Sequence, residues 1–271
     1  MQTLKELVKE NITHRRQMWN LALFHQKRVY RGSDMGLVWA FVKPAMYIVV
    51  FYVAISIGFK SSKAIDGLQC PYFVWLAIGL IAFFYMRDMI LNGAACFRKY
   101  DKFVAYTKYP IGTLPTSIAI SHLFIHFGML ALGFVVCFVF GCFPSIYWIQ
   151  IPFYMLLMVV FAIFWSIASG LITVLYKDFY NFLQVINQMV FWLSAILFDV
   201  HKLSPGMQKL FMFNPITYIV EGYRNAICRH IWFFEEPMNL ACYLIVLCLM
   251  IIISMAMYKK LKKRLPDVLR G

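Results

Sequence analysis

The sequence predicts an all-α polytopic membrane protein with six transmembrane helices, and three observations carry that prediction. The 271 residues are 62% hydrophobic and 14% charged, with a mean hydropathy of +0.70, more apolar sequence than a water-soluble core of this size buries. The apolar residues gather in runs near the ~20 needed to cross a hydrocarbon layer. Lys and Arg gather beside those runs, so the formal net charge of +14 reads as a topology signal and not as a nucleic-acid surface. Residues 1–20 carry charges throughout and show no apolar stretch of a cleavable signal peptide.

Residues 3–12 read as a short amphipathic helix, with Leu4, Leu7, Val8 and Ile12 on one face and Lys5, Glu6, Lys9 and Glu10 opposite. Such a helix lies along a membrane surface or against a partner. Next comes YRGSDMGLVWAFVKP at 30–44, a basic lead that turns apolar within a few residues. Gly32 and Gly36 loosen the entry, Pro44 sits inside the apolar part, and Lys43 lies beside it. The predicted spans are 37–58, 72–92, 116–141, 149–175, 181–198 and 239–258, the fifth being short.

The loop 93–115 carries Arg98, Lys99, Asp101, Lys102 and Lys108 and is long enough for a helix standing clear of the membrane. It is either a solvated topogenic loop or a docking element, and Tyr176-Lys177-Asp178-Phe179 is a smaller candidate dock. Residues 199–238 are apolar but hold Glu221, Arg224, Arg229 and His230, which are costly at mid-bilayer. They are expected to form short external re-entrant helices between spans five and six, punctuated by Pro205-Gly206 and Asn214-Pro215 and packed on protein. Glu221 and Arg224, at i and i+3, are expected to pair on the outer side.

Charge counting sets the orientation. Residues 1–36, 93–115, 176–180 and 259–271 hold 18 of the 26 Lys and Arg, while 59–71 and 199–238 hold six. Positive loops stay inside, so both termini are expected in the cytosol. The chain reads as one domain, 1–271, made of an interface region (1–36), a six-span body (37–258) and a basic tail (259–271).

No catalytic residue is expected. There is no GxxxxGK[ST] phosphate loop and no GxSxG nucleophile context. His122 and His126 share a helical face, but no carboxylate lies near them in sequence, so polar packing is preferred and no metal is assigned. The seven Cys form no CxxC. Cys70, Cys142 and Cys228 fall in segments assigned to the outer face, where a disulfide is chemically open. On the fifth span Asn181, Gln184, Asn187 and Gln188 share one arc of about 120°, which Phe191 and Ala195 continue. Such a stripe avoids lipid and either joins helices or lines a hydrated path. Most aromatics belong to packing or to the interfacial belt. Tyr47, Phe51 and Tyr52 on the first span, and Phe191 and Trp192 on the fifth, are candidates for stacking on sugar C–H faces.

Four segments now stand in order: YRGSDMGLVWAFVKP, then FVAYTKYPIGTLP at 103–115, YKDF at 176–179 and NPITYIVEGYR at 214–224. With the six-span hydropathy they make the chain resemble the ABC-2 type permeases that export lipid-linked polysaccharides, the O-antigen, capsule and wall teichoic acid exporters. The resemblance implies a bacterial cell-membrane protein acting as two copies around a channel. A separate cytosolic ABC ATPase homodimer would bind the ATP and Mg, and the cargo would be an undecaprenyl-linked glycan. By the same resemblance the N-terminal helix would rest on the ATPase. Tyr100, Asp101, Lys102, Phe103, Tyr106 and Lys108 would form the coupling region, with Lys177 and Asp178 as a second contact. The 205–232 segment would sit near the channel exit.

Channel candidates are Tyr47, Phe51, Tyr52, Gln184, Asn187, Gln188, Phe191 and Trp192. Arg28, Arg31 and Lys43 are candidates for a phosphate or lipid entrance, set against headgroup snorkelling. Lys43 departs from the small or polar residue expected before this Pro. The FPSIYWIQ stretch at 143–150 leans toward the teichoic acid branch, with O-antigen left open. The rival readings are an ABC-2 exporter of a drug or small lipid, an intramembrane transferase, which would need an acid/base or metal cluster at one depth, and a passive channel, which would need no docking loop.

Overall fold

The computed structural model describes residues 2–58, 68–101 and 109–262, with side chains described outside 55–58. The described residues are helical and contain no strand. In chain order the helices are α1 (Gln2–Thr13), α2 (Arg15–Val29), α3 (Trp39–Gly58), α4 (Tyr72–Ala94), α5 (Cys96–Lys99) and α6 (Leu114–Val139). They are followed by α7 (Ile151–Leu175), α8 (Lys177–Leu193), α9 (Pro205–Met212), α10 (Pro215–Arg224) and α11 (Pro237–Leu261).

Among the described residues five helical stretches are long and apolar enough to cross a membrane: Gly36–Ala54, Tyr72–Ala94, Ile111–Val139, Ile146–Leu175 and Pro237–Leu261. They match the first four predicted spans and the last to within a few residues. The remaining predicted span, 181–198, is a 17-residue helix that starts earlier and stops at Ser194. It ends there because Ala195 takes a left-handed φ of 52°.

The apolar pattern of each helix decides its place. The helix α4 is apolar all round and becomes the hub, 83% buried along its apolar stretch and packed on α6, α7, α8 and α10. The helix α3 is equally apolar but only 11% buried, so its hydrophobic surface faces outward, as suits a helix in lipid or against another chain. Gly32 and Gly36 both adopt positive φ (85° and 50°), which makes the turn that leads into it.

A helix that the sequence pattern did not announce, α2, follows α1. Its buried residues Leu21, Ala22, His25 and Gln26 lie against α6. Gln26 Nε2 donates to Ser121 O at 2.6 Å and to Ser121 Oγ at 2.8 Å. Lys99 Nζ lies 3.1 Å from His25 Nε2. An ammonium only donates, so Nε2 accepts and Nδ1–H donates to Ser121 Oγ, 2.9 Å away. Burial, then the charges of Lys99, His122 and Arg28, push the His25 pKa down to about 3 and keep the ring neutral.

The helix α1 has a different inward face from the one its sequence pattern suggests. Leu7 is buried, whereas Val8 and Ile12 are exposed. Glu10 turns inward: its Oε1 accepts from Gly112 N at 3.2 Å, and Lys262 Nζ stands 3.6 Å from Oε2. The start of the chain is thereby tied to the entry of α6 and to the end of α11.

Residues 199–238 contain the two short helices α9 and α10. Pro205 and Pro215 each occupy the first turn, where a missing N–H costs nothing, and the Asn214 side chain caps α10 by accepting from Ile216 N at 3.0 Å. A π turn at Asn225–Arg229 follows and ends at His230 with a φ of 57°.

Candidate substrate entrance and path

Pro44, Lys43 and Tyr47 of α3 meet Arg87 and Asp88 of α4 and His122 of α6 around a cavity of about 170 Å³. Tyr30 and Trp39 line the same cavity. Arg87 Nη2 pairs with Asp88 Oδ1 at 3.1 Å, and its guanidinium lies 5.0 Å from the Phe84 ring centroid. The Lys43 ammonium sits 6.0 Å from the Trp39 ring. His122 Nε2 is buried with no hydrogen-bond partner, while His126 Nε2 is satisfied by Tyr223 OH at 2.8 Å. Each ring thus leaves one nitrogen unused: His122 Nε2 and His126 Nδ1 are both buried without a partner, and both residues line the cavity. Burial and the nearby Asp88 charge hold the Tyr30 phenol above its ordinary pKa.

Of the three predicted entrance residues, only Lys43 lines this cavity. Arg28 lies 6.0 Å from the Tyr100 ring, and Arg31 is exposed on the turn before α3. Arg87 and Asp88 were not singled out in advance. An Arg-Asp pair inside the apolar run FFYMRDMIL was the available signal, since ionisable groups within a span mark functional sites by default.

Beyond the cavity, Phe51 of α3 stacks on Phe191 of α8 with centroids 4.8 Å apart and ring planes at 19°. Phe191 also packs against Phe83 and Trp192, and Tyr52 meets Phe73 edge-on at 4.6 Å. Phe51 and Phe191 thus occupy each other, whereas Tyr47 (53% exposed) and Trp192 (67% exposed) stay open. On α8 the buried residues are Leu183 and Val190. Gln184 and Gln188 are exposed, and Asn187 is half-buried with its Oδ1 unpartnered. The amide stripe does not glue helices within one chain.

At the opposite end of α4, Arg224 is fully buried. Its guanidinium donates to Glu221 Oε1 (2.7 Å), Ala195 O (3.0 Å), Ile196 O (2.7 Å) and Trp75 O (3.3 Å), and lies 3.4 Å from the Trp75 ring centroid. Gly79 makes room, because a Cβ there would stand 2.5 Å from Arg224 Nη2. Arg229 spans Glu221 Oε2 (3.0 Å) and Asp199 Oδ1 (2.6 Å). The expected Glu221–Arg224 pair forms, and it is buried in the core. Burial opposes the charge on Asp199, yet Arg229 and the His201 N–H hold its carboxyl below the usual range. Asp199, His201 and Glu221 bring ligand atoms within 4.8 Å of one another, but the two guanidiniums already balance the carboxylates.

Of the candidate coupling residues, Tyr100 is buried and Asp101 half-buried, while Lys102, Phe103, Tyr106 and Lys108 lie outside the described residues. Lys177 and Asp178 are exposed in the first turn of α8, where the Asp178 charge suits the helix dipole.

Residues 16–228 match the family model of the ABC-2 type transporter. The chain is similar to the O-antigen export system permease protein RfbA of Myxococcus xanthus, 21% identical over 244 residues that cover 89% of this chain and 92% of that protein. It is similar to the RfbA permease of Klebsiella pneumoniae at the same identity over 242 residues, covering 89% and 90%. With its bundle of long apolar helices and a match over most of its length, the chain belongs to the ABC-2 type transporter family as a multi-pass membrane subunit.

Proposed function

We propose that this chain is the permease of an ATP-driven exporter that moves a lipid-linked polysaccharide from the cytosol to the outer face of a bacterial cell membrane. Two copies enclose the path, and a separate pair of cytosolic ATPase subunits binds ATP and Mg and supplies the drive. The observation that carries this reading is the open face of α8. Gln184 and Gln188 are exposed beside Trp192 on a helix packed into a membrane bundle. Amides are expensive in hydrocarbon, so this face needs a second copy or a hydrated path against it.

A six-span topology with cytosolic termini fits the same geometry. Glu10 and Lys262 meet, so α1 and the end of α11 share one end of the bundle, which supports an even number of crossings. The helix α8 supplies the sixth: its 17 residues reach about 25 Å at ~1.5 Å each, and the turn to Asp199 completes the passage. The helices α9 and α10 then enter and leave the outer leaflet close to the exit, with α10 against α4.

The lipid diphosphate enters from the inner leaflet at the cavity, where Lys43 and Arg87 offer charge-assisted bonds to phosphate and His122 a further nitrogen. The glycan follows over Tyr47 and Trp192, with the Phe51–Phe191 stack parting to admit it. The ATPase acts through the 100–108 region, and α1, seated on Gly112 through Glu10, carries the movement to α6. Reconstitution with the ATPase subunit and a lipid-linked glycan tests the reading. Gln184→Leu with Gln188→Leu should abolish transport while the complex still assembles; unchanged transport overturns the path. Glycan-stimulated ATP hydrolysis separates this cargo from a drug or small lipid.

A further inference from the structure

Four of the seven cysteines converge where α4, α6 and α10 end together. Gln69 N donates to Cys228 O at 2.8 Å, which lays the Cys70 segment beside the π turn, and Cys142 N donates to Cys137 O at 2.8 Å. Cys70, Cys137, Cys142 and Cys228 are all buried in the same apolar cluster. The Cys70 thiol interacts with the Cys228 thiol and, more weakly, with the Cys142 thiol.

We propose that Cys70 and Cys228 are a modification site, closing to a disulfide on the outer face of the membrane with Cys142 as the neighbouring exchange thiol. This rests on the orientation proposed above. The hydrogen bond from Gln69 N to Cys228 O sets the two segments side by side, the arrangement in which a disulfide can close. The Cys228 thiol, against the opposing effect of burial, then Cys142 and the Arg229 charge lower the Cys70 pKa and favour its thiolate. The reaction balances with a disulfide-bearing oxidant, protein or small molecule. Cys70 thiolate attacks one oxidant sulfur and expels the other as a thiolate. Cys228 loses its proton and attacks the Cys70 sulfur of the mixed disulfide, expelling the second oxidant thiol. Two cysteine thiols are oxidised and one disulfide is reduced. Reaction during membrane insertion, before these residues are buried, gives the oxidant access, and the finished bond is then shielded. The bond would tie the entry of α4 to the π turn that carries Arg229, and so to the Asp199–Glu221 cluster.

The test uses the full chain in its native membrane, with thiols trapped by acid and alkylated. A Cys70–Cys228 linked peptide, and two fewer reactive thiols than the seven in the sequence, are expected. Cys142→Ser should retain the link, and Cys228→Ser should shift it to Cys70–Cys142. A Lys202→Cys variant, probed from outside with a membrane-impermeant thiol reagent, reports the orientation independently, because Lys202 is exposed in the same outer region. Labelling at that position together with fully reduced Cys70 and Cys228 overturns the disulfide alone. No labelling in intact cells overturns the orientation and the proposal with it.

Discussion

Replacing Arg224 is expected to be among the most damaging single changes outside the transport path. The side chain is fully buried and serves Glu221 and the carbonyls of Trp75, Ala195 and Ile196 at once. Arg224→Met leaves Glu221 to Arg229 and His201, and the buried Ala195 and Ile196 carbonyls short of a donor, while Trp75 O keeps its helical bond. Removing one partner of a buried ion pair costs about 3–5 kcal/mol, and each unsatisfied carbonyl about 1–3 kcal/mol where no water reaches it. These terms overlap, so about 4 kcal/mol is the expected total, or a midpoint lower by roughly 10 °C. Arg224→Lys keeps the charge but not the planar fork, and a point ammonium does not span Glu221 and carbonyls on two elements. About half the loss should remain. The assay is the apparent melting midpoint of the detergent-purified protein, read as loss of the monodisperse species, with Lys202→Ala as an exposed control. A midpoint for Arg224→Met within about 2 °C of the control would refute the assignment of the guanidinium as the clasp between α10, α4 and the end of α8.

Gly79→Ala should reproduce part of that loss in the same assay, because its Cβ would displace Arg224 Nη2 from 2.5 Å. His25 gives a pH signature: its folded pKa near 3 lies below the unfolded value near 6.5. The unfolded chain therefore binds the extra proton, and stability falls as pH drops below about 6.5 toward 3. His25→Gln should flatten the midpoint between pH 6.5 and 5 relative to the native chain; an unchanged slope would place the buried charge elsewhere. Arg87→Gln should lower transport of a lipid diphosphate by about tenfold at limiting cargo, with basal ATP hydrolysis intact, as expected for one lost charge-assisted bond. Glu10→Ala should weaken cargo-stimulated ATP hydrolysis more than it lowers the midpoint, since Glu10 joins α1 to Gly112 and Lys262. Equal loss in the two readouts would make it a stability contact only.

The sequence by itself determined the class, the positions of five long helices, the paired short helices after α8 and the family. Each rests on local quantities: apolar length, Pro and Asn at helix starts, and motifs in register. It also singled out Lys43, which lines the cavity between α3, α4 and α6. Tertiary structure decided the rest, because partnership across helices leaves no local trace. Leu7 and Glu10 turned inward through contacts with residues about a hundred positions away. The pair at Glu221 and Arg224 could be predicted from its spacing, but its burial depended on Gly79, Trp75 and the carbonyls after α8. The cavity needed Arg87, Asp88 and His122 to arrive from two further helices, and α2 carried too weak an apolar stripe to stand out. The amide stripe of α8 was visible as a pattern, yet only packing showed that it stays open. A single chain buries what its own helices can satisfy, and the groups left over mark where something else must bind.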